Sequence, residues 1–570
     1  MQNEDLNSKL NKRERYKARL RPYDYFSEFE SLDFENLGEG DRFFLQDFGI
    51  FTTDFLEDEF TMRIRVPAGR LSAQEFSYIA DVVDEYDLTI IITARGGLQL
   101  HELECDNVLE IWKKLNTNGL TTWQSFGDNI RNIVTNVYDG RGKYCEIETY
   151  PIIMQMQDYI VKNPRYVGML PRRVSIGVSG NRASVTSFFA NDLYFALALK
   201  DGVYGFNVYM GGKNTEIAKD ADIFLLKEEV FDFFKAFVEA FYLHGSRFSR
   251  SKTRLFYMIE NIGLKTLKQH IEKEYGKTFE SAGKIQLEKV VFSQHEQLRD
   301  GTYAYCYQTD FARLDAKEMK QISKLSLEKN LDIRLGIDQN IYLLGLPDKT
   351  TPFPSPAQSA TIITCAGSLC PYSFWSIKNE TKYLPLEKIS EHSISVGFSG
   401  CIKGCGRHRH TDIGLVGLKT NNFGNTDGGA RVFVGAVHTD GLSISRMLFS
   451  MVPLVHLHKT LDLIIELYEL SGYKNFEEFS DAILNKFSEE FLALWLLANL
   501  TTNKAIKLEP TDSGFEYEKN LLKETFSEVD FIESIEEKFA PSVSALAKKL
   551  WTVAGADPVY KPKLNRVNFR

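Results

Sequence analysis

The sequence GRLSAQEFSYIADVVDEYDLTIIITARGGLQLHEL, residues 69–103, aligns without gaps with ARLDAKEMKQISKLSLEKNLDIRLGIDQNIYLLGL, residues 312–346. The hydrophobic pattern of each copy predicts a strand, an amphipathic helix and two short strands around a turn. This succession is half of a ferredoxin-like α+β unit, and two such halves can complete one domain. The repeat therefore predicts a duplicated α+β fold.

A second repeated segment follows each of these copies. Residues 175–195, SIGVSGNRASVTSFFANDLYF, match residues 395–415, SVGFSGCIKGCGRHRHTDIGL. Each copy has a β-rich start and a glycine-marked loop before further strands and helices, which is typical of an α/β domain. After residue 445 the pattern predicts helices, and the chain is expected to end in a helical extension.

The composition is that of a globular protein. The chain has 570 residues, of which 43% are hydrophobic and 25% charged, and its formal charge is −9. A net negative charge argues against a general nucleic-acid binder, because phosphate contacts require a basic surface. The N-terminal sequence lacks the apolar segment of a secretory signal, and the longest apolar run, residues 491–500, is about half the length of a membrane-spanning helix. We therefore expect a cytoplasmic protein that binds neither nucleic acid nor a membrane.

Four of the seven cysteines lie close together, as Cys365, Cys370, Cys401 and Cys405. In a reduced compartment, two closely spaced pairs indicate a metal site rather than a disulfide framework. A structural zinc ion and a [4Fe-4S] cluster both accept four thiolates. The glycines around the second pair let backbone N–H groups approach cluster sulfides, which favours iron–sulfur and leaves zinc as the alternative.

The sequence SGCIKGCGRHRHTDIGLVG, residues 399–417, resembles the thiolate-loop signature of the sirohaem and [4Fe-4S] nitrite and sulfite reductases. The two kinds of repeated segment alternate along the chain, and this order also resembles the order in that family. The resemblance implies a pseudo-twofold α+β architecture with two ferredoxin-like half-domains, two α/β domains for sirohaem and cluster, and a helical C-terminal extension. It also implies that the four clustered cysteines hold the [4Fe-4S] cluster. Cys405 would bridge the cluster to the sirohaem iron, so that electrons pass through this shared ligand.

The resemblance also suggests domain boundaries. We expect an N-terminal wrapping segment at 1–57, a first ferredoxin-like half-domain at 58–125, a first sirohaem-binding domain with anion-binding basic residues at 126–288, a second half-domain at 289–350, a second domain for sirohaem and cluster at 351–445, and a helical region at 446–570.

The family's reaction is the six-electron reduction of sulfite to sulfide or of nitrite to ammonia, and such an anion needs cations to bind it. Three segments resemble the family's anion-binding segments: TARGGLQLH with Arg95, GDNIRNIVTN with Arg131, and MLPRRVSIGVSG with Arg173 and Ser175. Arg173 stands where a lysine is usual, and Ser175 where a second lysine or an asparagine is usual. Because a guanidinium keeps its proton, Arg173 is expected to bind the anion but to be a poor proton donor. Three cations and a neutral serine are closer to the pattern of nitrite-reducing members, but the sequence leaves both substrates open.

Sirohaem carries many carboxylates, so its site requires basic side chains and backbone donors. The basic run after Cys405 supplies candidates, and its alternative interpretation is a solvated loop. Two asparagines also lie in segments similar to family motifs. The expected cofactor contacts, besides Cys405, are Arg407, His408, Arg409, His410, Asn129 and Asn207.

No dinucleotide-binding or complete phosphate-binding motif is present, so electrons are expected from a separate ferredoxin or flavoprotein. The basic C-terminal sequence YKPKLNRVNFR, residues 560–570, is a candidate docking segment for an acidic donor. The leading hypothesis is a sirohaem reductase of sulfite, nitrite or both. The alternatives are a non-catalytic iron–sulfur or tetrapyrrole-binding protein and a structural zinc protein.

Overall fold

A computed structural model describes residues 10–53, 59–353, 361–375, 377–420, 427–502, 505–509 and 515–525. The chain divides into two compact units, residues 1–355 and 356–570. The candidate docking segment at 560–570 lies outside the described residues. Among the helices that are described, none is both long enough and apolar enough to cross a membrane.

The described part of the first unit contains three sheets and their covering helices. Its strands are β1 (Ile50–Phe51), β2 (Glu59–Ile64), β3 (Arg70–Leu71), β4 (Thr89–Ile92), β5 (Leu98–Glu104), β6 (Ile130–Val134), β7 (Val174–Ser179), β8 (Leu193–Lys200), β9 (Val203–Met210), β10 (Lys219–Leu225), β11 (Lys284–Ile285), β12 (His295–Gln297), β13 (Tyr303–Tyr307), β14 (Arg313–Leu314), β15 (Asp332–Leu335) and β16 (Ile341–Leu346). Its α-helices are α1 (Lys12–Arg19), α2 (Phe26–Phe29), α3 (Glu39–Phe44), α4 (Ala73–Glu85), α5 (Val108–Thr117), α6 (Tyr150–Lys162), α7 (Val230–His244), α8 (Leu255–Ile262), α9 (Leu264–Tyr275) and α10 (Ala316–Lys329).

The first repeated segment builds two five-stranded sheets that exchange a strand. One sheet has the order β1-β2-β5-β4-β14 and the other β12-β13-β16-β15-β3. Thus β14 of the second copy pairs with β4 of the first, and β3 of the first copy pairs with β15 of the second. The exchange shows that the two ferredoxin-like halves form one domain.

The helices of the two halves begin in similar ways. In α4 the hydroxyl of Ser72 accepts a hydrogen bond from the N–H of Glu75 at 3.1 Å, and the Glu75 carboxylate accepts from the N–H of Ser72 at 2.8 Å. This reciprocal pair is a capping box. In α10 the Asp315 carboxylate accepts from the N–H groups of Lys317 and Glu318. Both helices bury one apolar face, as their periodicity predicts.

The third sheet of the first unit carries the second repeated segment. Its order is β6-β7-β8-β9-β10, with β11 attached to β8. The first three strands are parallel, and β9 and β10 run antiparallel to their neighbours. Helix α7 covers this sheet with buried phenylalanines at 233, 234, 237 and 241.

The second unit repeats the same sheet. Its strands are β17 (Ile362–Thr364), β18 (Val396–Ser399), β19 (Ile413–Thr420), β20 (Asp427–Val434) and β21 (Arg446–Pro453), in this order. Here too the first three strands are parallel and the last two antiparallel. The predicted duplication is therefore confirmed. Helices also follow the sheet, but the predicted start of the helical region at residue 446 is wrong, because residues 446–453 form β21, which pairs with β20, and the first of these helices begins at Leu454. The helices of this unit are α11 (Ile377–Glu380), α12 (Leu386–Glu391), α13 (Leu454–Ser471), α14 (Phe476–Phe479), α15 (Glu489–Thr502) and α16 (Phe515–Thr525).

Candidate functional site

The two cysteine pairs of the second unit lie in loops that leave neighbouring parallel strands. Cys365 follows β17 directly, and Cys401 follows β18 after Gly400. Because the carboxyl ends of parallel strands meet at one edge of a sheet, both loops start at the same edge. The N–H of Cys365 donates to the carbonyl of Phe398 at 3.2 Å, and the N–H of Gly400 donates to the Cys365 sulfur at 3.1 Å. Sequence and topology together therefore bring the two pairs into contact.

The four thiols act on one another electrostatically. Burial raises the pKa of Cys365 to about 12, and Cys405 and Cys370 add to this effect against two N–H donors. Burial also raises the pKa of Cys370, and the nearby sulfurs of Cys405 and Cys401 oppose its ionisation further. Four thiols in such surroundings become thiolates when a metal centre supplies the compensating positive charge.

The four sulfurs are not gathered around a single point. Among the described ligand groups, no three of these sulfurs lie within 4.8 Å of one another. Four thiolates around one zinc ion, at a Zn–S distance of about 2.3 Å, would be separated by about 3.8 Å. The loop at Gly400 is closely packed, since a Cβ atom there would lie 1.9 Å from the hydroxyl oxygen of Ser373. A set of four thiols is compatible with a [4Fe-4S] cluster.

The basic run after Cys405 is not a solvated loop. Arg407, His408 and His410 are buried, and Arg409 is half-buried. The Nδ1 atom of His408 lies 3.2 Å from the hydroxyl of Ser399, and burial, with the charges of neighbouring arginines, lowers the pKa of this imidazole to about 3. His408 is thus a neutral core residue. Cofactor contacts of Arg407 and Arg409 stay predictions.

In the first unit, the three arginines singled out in the sequence lie together. Arg95 lies in the turn between β4 and β5, Arg131 in β6, and Arg173 immediately before β7. Burial lowers the pKa of Arg131 well below its ordinary value, and the charges of Arg63, Arg173 and Arg95 lower it further. Burial, Arg254 and Arg95 have the same effect on the pKa of Arg173. Positive charge is therefore concentrated in one place.

The carboxylates nearby are already engaged by other cations. Asp128 contacts Lys17 at 3.0 Å and Arg250 at 2.7 Å, and Asp192 contacts Arg254 at 2.7 Å. Among the described ion pairs, none within 4.0 Å includes Arg131 or Arg173.

Arg131 is held by backbone groups instead. Its guanidinium donates to the carbonyls of Ser125 and Gly127, and its buried Nε has no hydrogen-bond partner in the part of the chain that is described. A buried charge is costly unless it is paired. The arrangement therefore favours a bound anion.

Sequence reasoning did not single out Arg63, although it belongs to this cluster. Its Nη2 donates to Gln99 at 2.9 Å, its Nη1 donates to the carbonyl of Ser125, and its guanidinium lies 3.9 Å from the ring centroid of Phe126. The available signal was the alternation of Thr61, Arg63 and Arg65 with apolar residues along β2 and beyond its end. Such a polar face beside the TARGG turn predicts an internal polar site.

Three other candidates make contacts within the protein. The Ser175 hydroxyl donates to Asp192 at 2.7 Å. Asn129 donates to Asp47 and accepts from the N–H of Gly168, and Asn207 exchanges hydrogen bonds with the backbone of Gly283. These contacts give all three side chains a structural role. A contact with substrate or cofactor stays a prediction for each.

Comparisons with known proteins match the chain to nitrite and sulfite reductases. A model of the nitrite and sulphite reductase 4Fe-4S domain matches residues 126–279, and one of the nitrite/sulfite reductase ferredoxin-like half domain matches residues 56–118. The chain is 29% identical to a ferredoxin–nitrite reductase of Synechococcus elongatus over 75% of this chain and 90% of that protein. It is 28% identical to the chloroplastic ferredoxin–nitrite reductase of Spinacia oleracea over 66% of this chain and 69% of that protein. The Mycobacterium tuberculosis NirA protein has a similar fold, with a TM-score of 0.74 at 21% identity over 82% of this chain and 96% of that one.

Proposed function

Since the chain belongs to the family of sirohaem and [4Fe-4S] nitrite and sulfite reductases, we propose that it reduces nitrite to ammonia with electrons from a ferredoxin. The observation that supports this most directly is the cluster of Arg95, Arg131 and Arg173: beside burial, Arg173 and Arg95 lower the pKa of Arg131, and Arg95 lowers the pKa of Arg173. Such a cluster suits a small anion. The ferredoxin named for the similar proteins supports a ferredoxin donor, with a flavoprotein as the alternative. We place the reaction in the cytoplasm.

The cofactors of this family are sirohaem and a [4Fe-4S] cluster. We assign Cys365, Cys370, Cys401 and Cys405 to hold the cluster, with Cys405 as the ligand shared with the sirohaem iron. When bound, these groups supply the electron transfers of a six-electron reduction. Cys405 is exposed in its unit, whereas the other three cysteines are half-buried. This exposure suits a ligand that also binds the sirohaem iron.

The arginines bind and orient the anion and do not supply its protons. A guanidinium remains charged in proteins, and its planar donors match an oxyanion in two-point contacts. Arg131 is fixed by two backbone carbonyls, which orient its remaining donors without neutralising its charge. The protons consumed in the reaction therefore come from solvent or from another acid. An Arg173→Lys variant would add an ammonium donor at this position and is expected to raise turnover with sulfite relative to nitrite.

The test is anaerobic purification followed by parallel turnover of nitrite and sulfite with reduced ferredoxin. We expect sirohaem and cluster absorption and a higher kcat/KM for nitrite. The Arg131→Met variant is expected to retain both spectra and to lose about 100-fold or more in kcat/KM, the scale found when a donor to a developing anion is removed. Arg182→Met is the matched control, because Arg182 forms surface ion pairs with Glu146 and Glu288 in the same domain.

Three results would contradict the proposal in whole or in part. Full cofactor absorption without turnover of either anion would indicate a non-catalytic cofactor-binding protein. Unchanged kinetics in Arg131→Met would remove the arginine cluster from the substrate site. A higher kcat/KM for sulfite would keep the enzyme class and overturn the choice of nitrite.

A further inference from the structure

A second group of potential metal ligands lies in the C-terminal unit, outside the cysteine loops. It consists of Asp412, His438 and Glu477, whose ligand atoms all lie within 4.8 Å of one another. The Nε2 atom of His438 lies 3.4 Å from Oε1 of Glu477 and 3.7 Å from Oδ1 of Asp412. Both carboxylates are buried, and the histidine side chain is only 12% exposed.

The Ser395 hydroxyl lies 3.3 Å from Nε2 of His438, and the hydrogen bonds of these residues leave one carboxylate oxygen directed into the group. Oδ2 of Asp412 accepts from the Ser395 hydroxyl at 2.7 Å, and Oε1 of Glu477 accepts from the N–H groups of His438 and Thr439. Oδ1 of Asp412 is buried, has no hydrogen-bond partner among the described residues, and faces Nε2 of His438. Asp412 is 6% exposed, so water outside the protein does not compensate this oxygen.

The distance from Nε2 of His438 to Glu477 matches that between ligands that share a metal ion, and the distance to Asp412 is 0.3 Å longer. An imidazolium that holds a carboxylate donates over about 2.7–2.9 Å, which is shorter than both distances from Nε2 of His438. Ligands at about 2.0–2.1 Å from a tetrahedral zinc ion are instead about 3.3–3.4 Å apart. The ligands also come from three segments, since Asp412 precedes β19, His438 follows β20, and Glu477 lies in α14.

In the first copy of the repeat, an arginine occupies the position equivalent to that of His438. Ser175 and Asp192 make the same hydrogen bonds as Ser395 and Asp412, and the free side of Asp192 is bound by Arg254 at 2.7 Å. In the first copy, a guanidinium, which keeps its charge, therefore balances the aspartate. The second copy has His438 at this place and adds the carboxylate of Glu477. A divalent cation would balance the charge of two buried carboxylates beside one neutral imidazole.

We propose that Asp412, His438 and Glu477 bind a divalent transition-metal ion, for which zinc is the best fit. The ligands are one imidazole nitrogen and two carboxylate oxygens, with solvent in the fourth position. The ion would connect the sheet of the second unit to α14 and stabilise the start of the C-terminal helices. The site is independent of the proposed reaction.

The test is zinc titration of the purified holoprotein after treatment with a mild chelator. Iron and acid-labile sulfide are measured first, so that the four clustered cysteines are known to be occupied. Wild type is expected to bind one zinc ion per chain and to show a higher Tm with zinc. His438→Ala and Glu477→Gln are expected to lose more than the roughly 100-fold in zinc affinity that outer-shell changes cost. The glutamine retains a carbonyl acceptor for the two backbone N–H groups, so this variant is expected to fold.

The matched control is His392→Ala. His392 pairs with Glu469 at 2.8 Å on a more exposed part of the same unit, and its loss should leave zinc affinity unchanged. The proposal is overturned if wild type binds no zinc, which would indicate that an imidazolium balances the carboxylates. It is also overturned if wild type and Glu477→Gln bind zinc equally well.

Discussion

The two copies of the five-stranded α/β sheet have the same strand order but carry different chemistry. In the first copy, β6 to β10, Arg131 and Arg173 lie at the starts of the parallel strands β6 and β7. In the second, β17 to β21, the cysteine loops follow the opposite, carboxyl ends of β17 and β18. The scaffold is therefore independent of the chemistry, which depends on a few side chains at one or the other end of the strands.

The two copies share a serine–aspartate pair at the starts of their parallel strands. Ser175 with Asp192, and Ser395 with Asp412, form the same set of three hydrogen bonds between side chains and backbone. Each pair joins the start of one parallel strand to the start of the next. The copies differ in the cation on the far side of the aspartate, which is Arg254 in the first copy and which we propose to be a metal ion in the second.

The largest expected effect is the loss of the cluster. Cys401→Ser removes a proposed ligand, so the protein should lose iron and acid-labile sulfide and all turnover with nitrite. The matched change in the first copy is Asn181→Ala, because Asn181 stands at the position of Cys401 in the repeat. Its buried amide makes no hydrogen bond among the described residues, so iron content should be unchanged. Full iron content in Cys401→Ser would contradict the assignment of the thiolates.

The second comparison concerns the aspartates. Asp192→Asn leaves the half-buried Arg254 without its carboxylate, and breaking such a pair costs about 3–5 kcal/mol in free energy of unfolding. Asp412→Asn in zinc-free protein leaves no guanidinium unpaired and should cost less. Urea unfolding measures both, and equal losses would show that Arg254 does not distinguish the copies.

The aspartate comparison also depends on pH. Burial alone would raise the pKa of Asp192, but Arg254 and Arg173 hold this pKa below its ordinary value. The contribution of Asp192 to stability is therefore present above the unfolded-state pKa of about 4 and is lost as the pH falls through the folded-state pKa. The difference in stability between wild type and Asp192→Asn should shrink in acid. A difference that grows in acid would contradict this ion pair.

The sequence predicted the shared features well because they are periodic or repeated. The aligned residues 69–103 and 312–346 each form the predicted strand, helix and two further strands. The strand exchange between β3 and β14 was not predictable, because these strands are two residues long and their partners depend on tertiary packing.

The site was predictable only where the residues lie in motifs. The clustered cysteines and the three arginines stand in segments that resemble family signatures. Arg63 and Arg254 were missed because a single arginine is ordinarily a surface residue. Asp412, His438 and Glu477 come from three segments without a fixed spacing, so only the folded chain brings them together.

A pair of glycines gives the third comparison. A Cβ atom at Gly180 would lie 1.9 Å from the backbone carbonyl oxygen of Ile147, whereas at Gly400 it would lie 1.9 Å from the side-chain oxygen of Ser373. Backbone atoms move aside less readily than a side chain. Gly180→Ala should therefore lower the free energy of unfolding by about 3 kcal/mol and Gly400→Ala by about 1 kcal/mol. Replacing Ser373 by glycine in the Gly400→Ala variant should restore stability, as measured by urea unfolding. A larger loss in Gly400→Ala than in Gly180→Ala would contradict this difference.

The serines test whether the copies are equivalent. Ser175→Ala and Ser395→Ala each remove one hydrogen bond to a carboxylate, at about 1.5 kcal/mol. The two sets of distances agree within 0.1 Å, and the Ser395 hydroxyl also lies 3.3 Å from Nε2 of His438. The losses in urea unfolding of zinc-free protein should therefore be similar, and slightly larger for Ser395→Ala. A change in the KM for nitrite confined to Ser175→Ala would show that this hydroxyl also acts on the substrate. Similar losses with an unchanged KM would show that Ser175, which stands where the resemblance predicts a lysine or an asparagine, belongs to the scaffold rather than to the anion site.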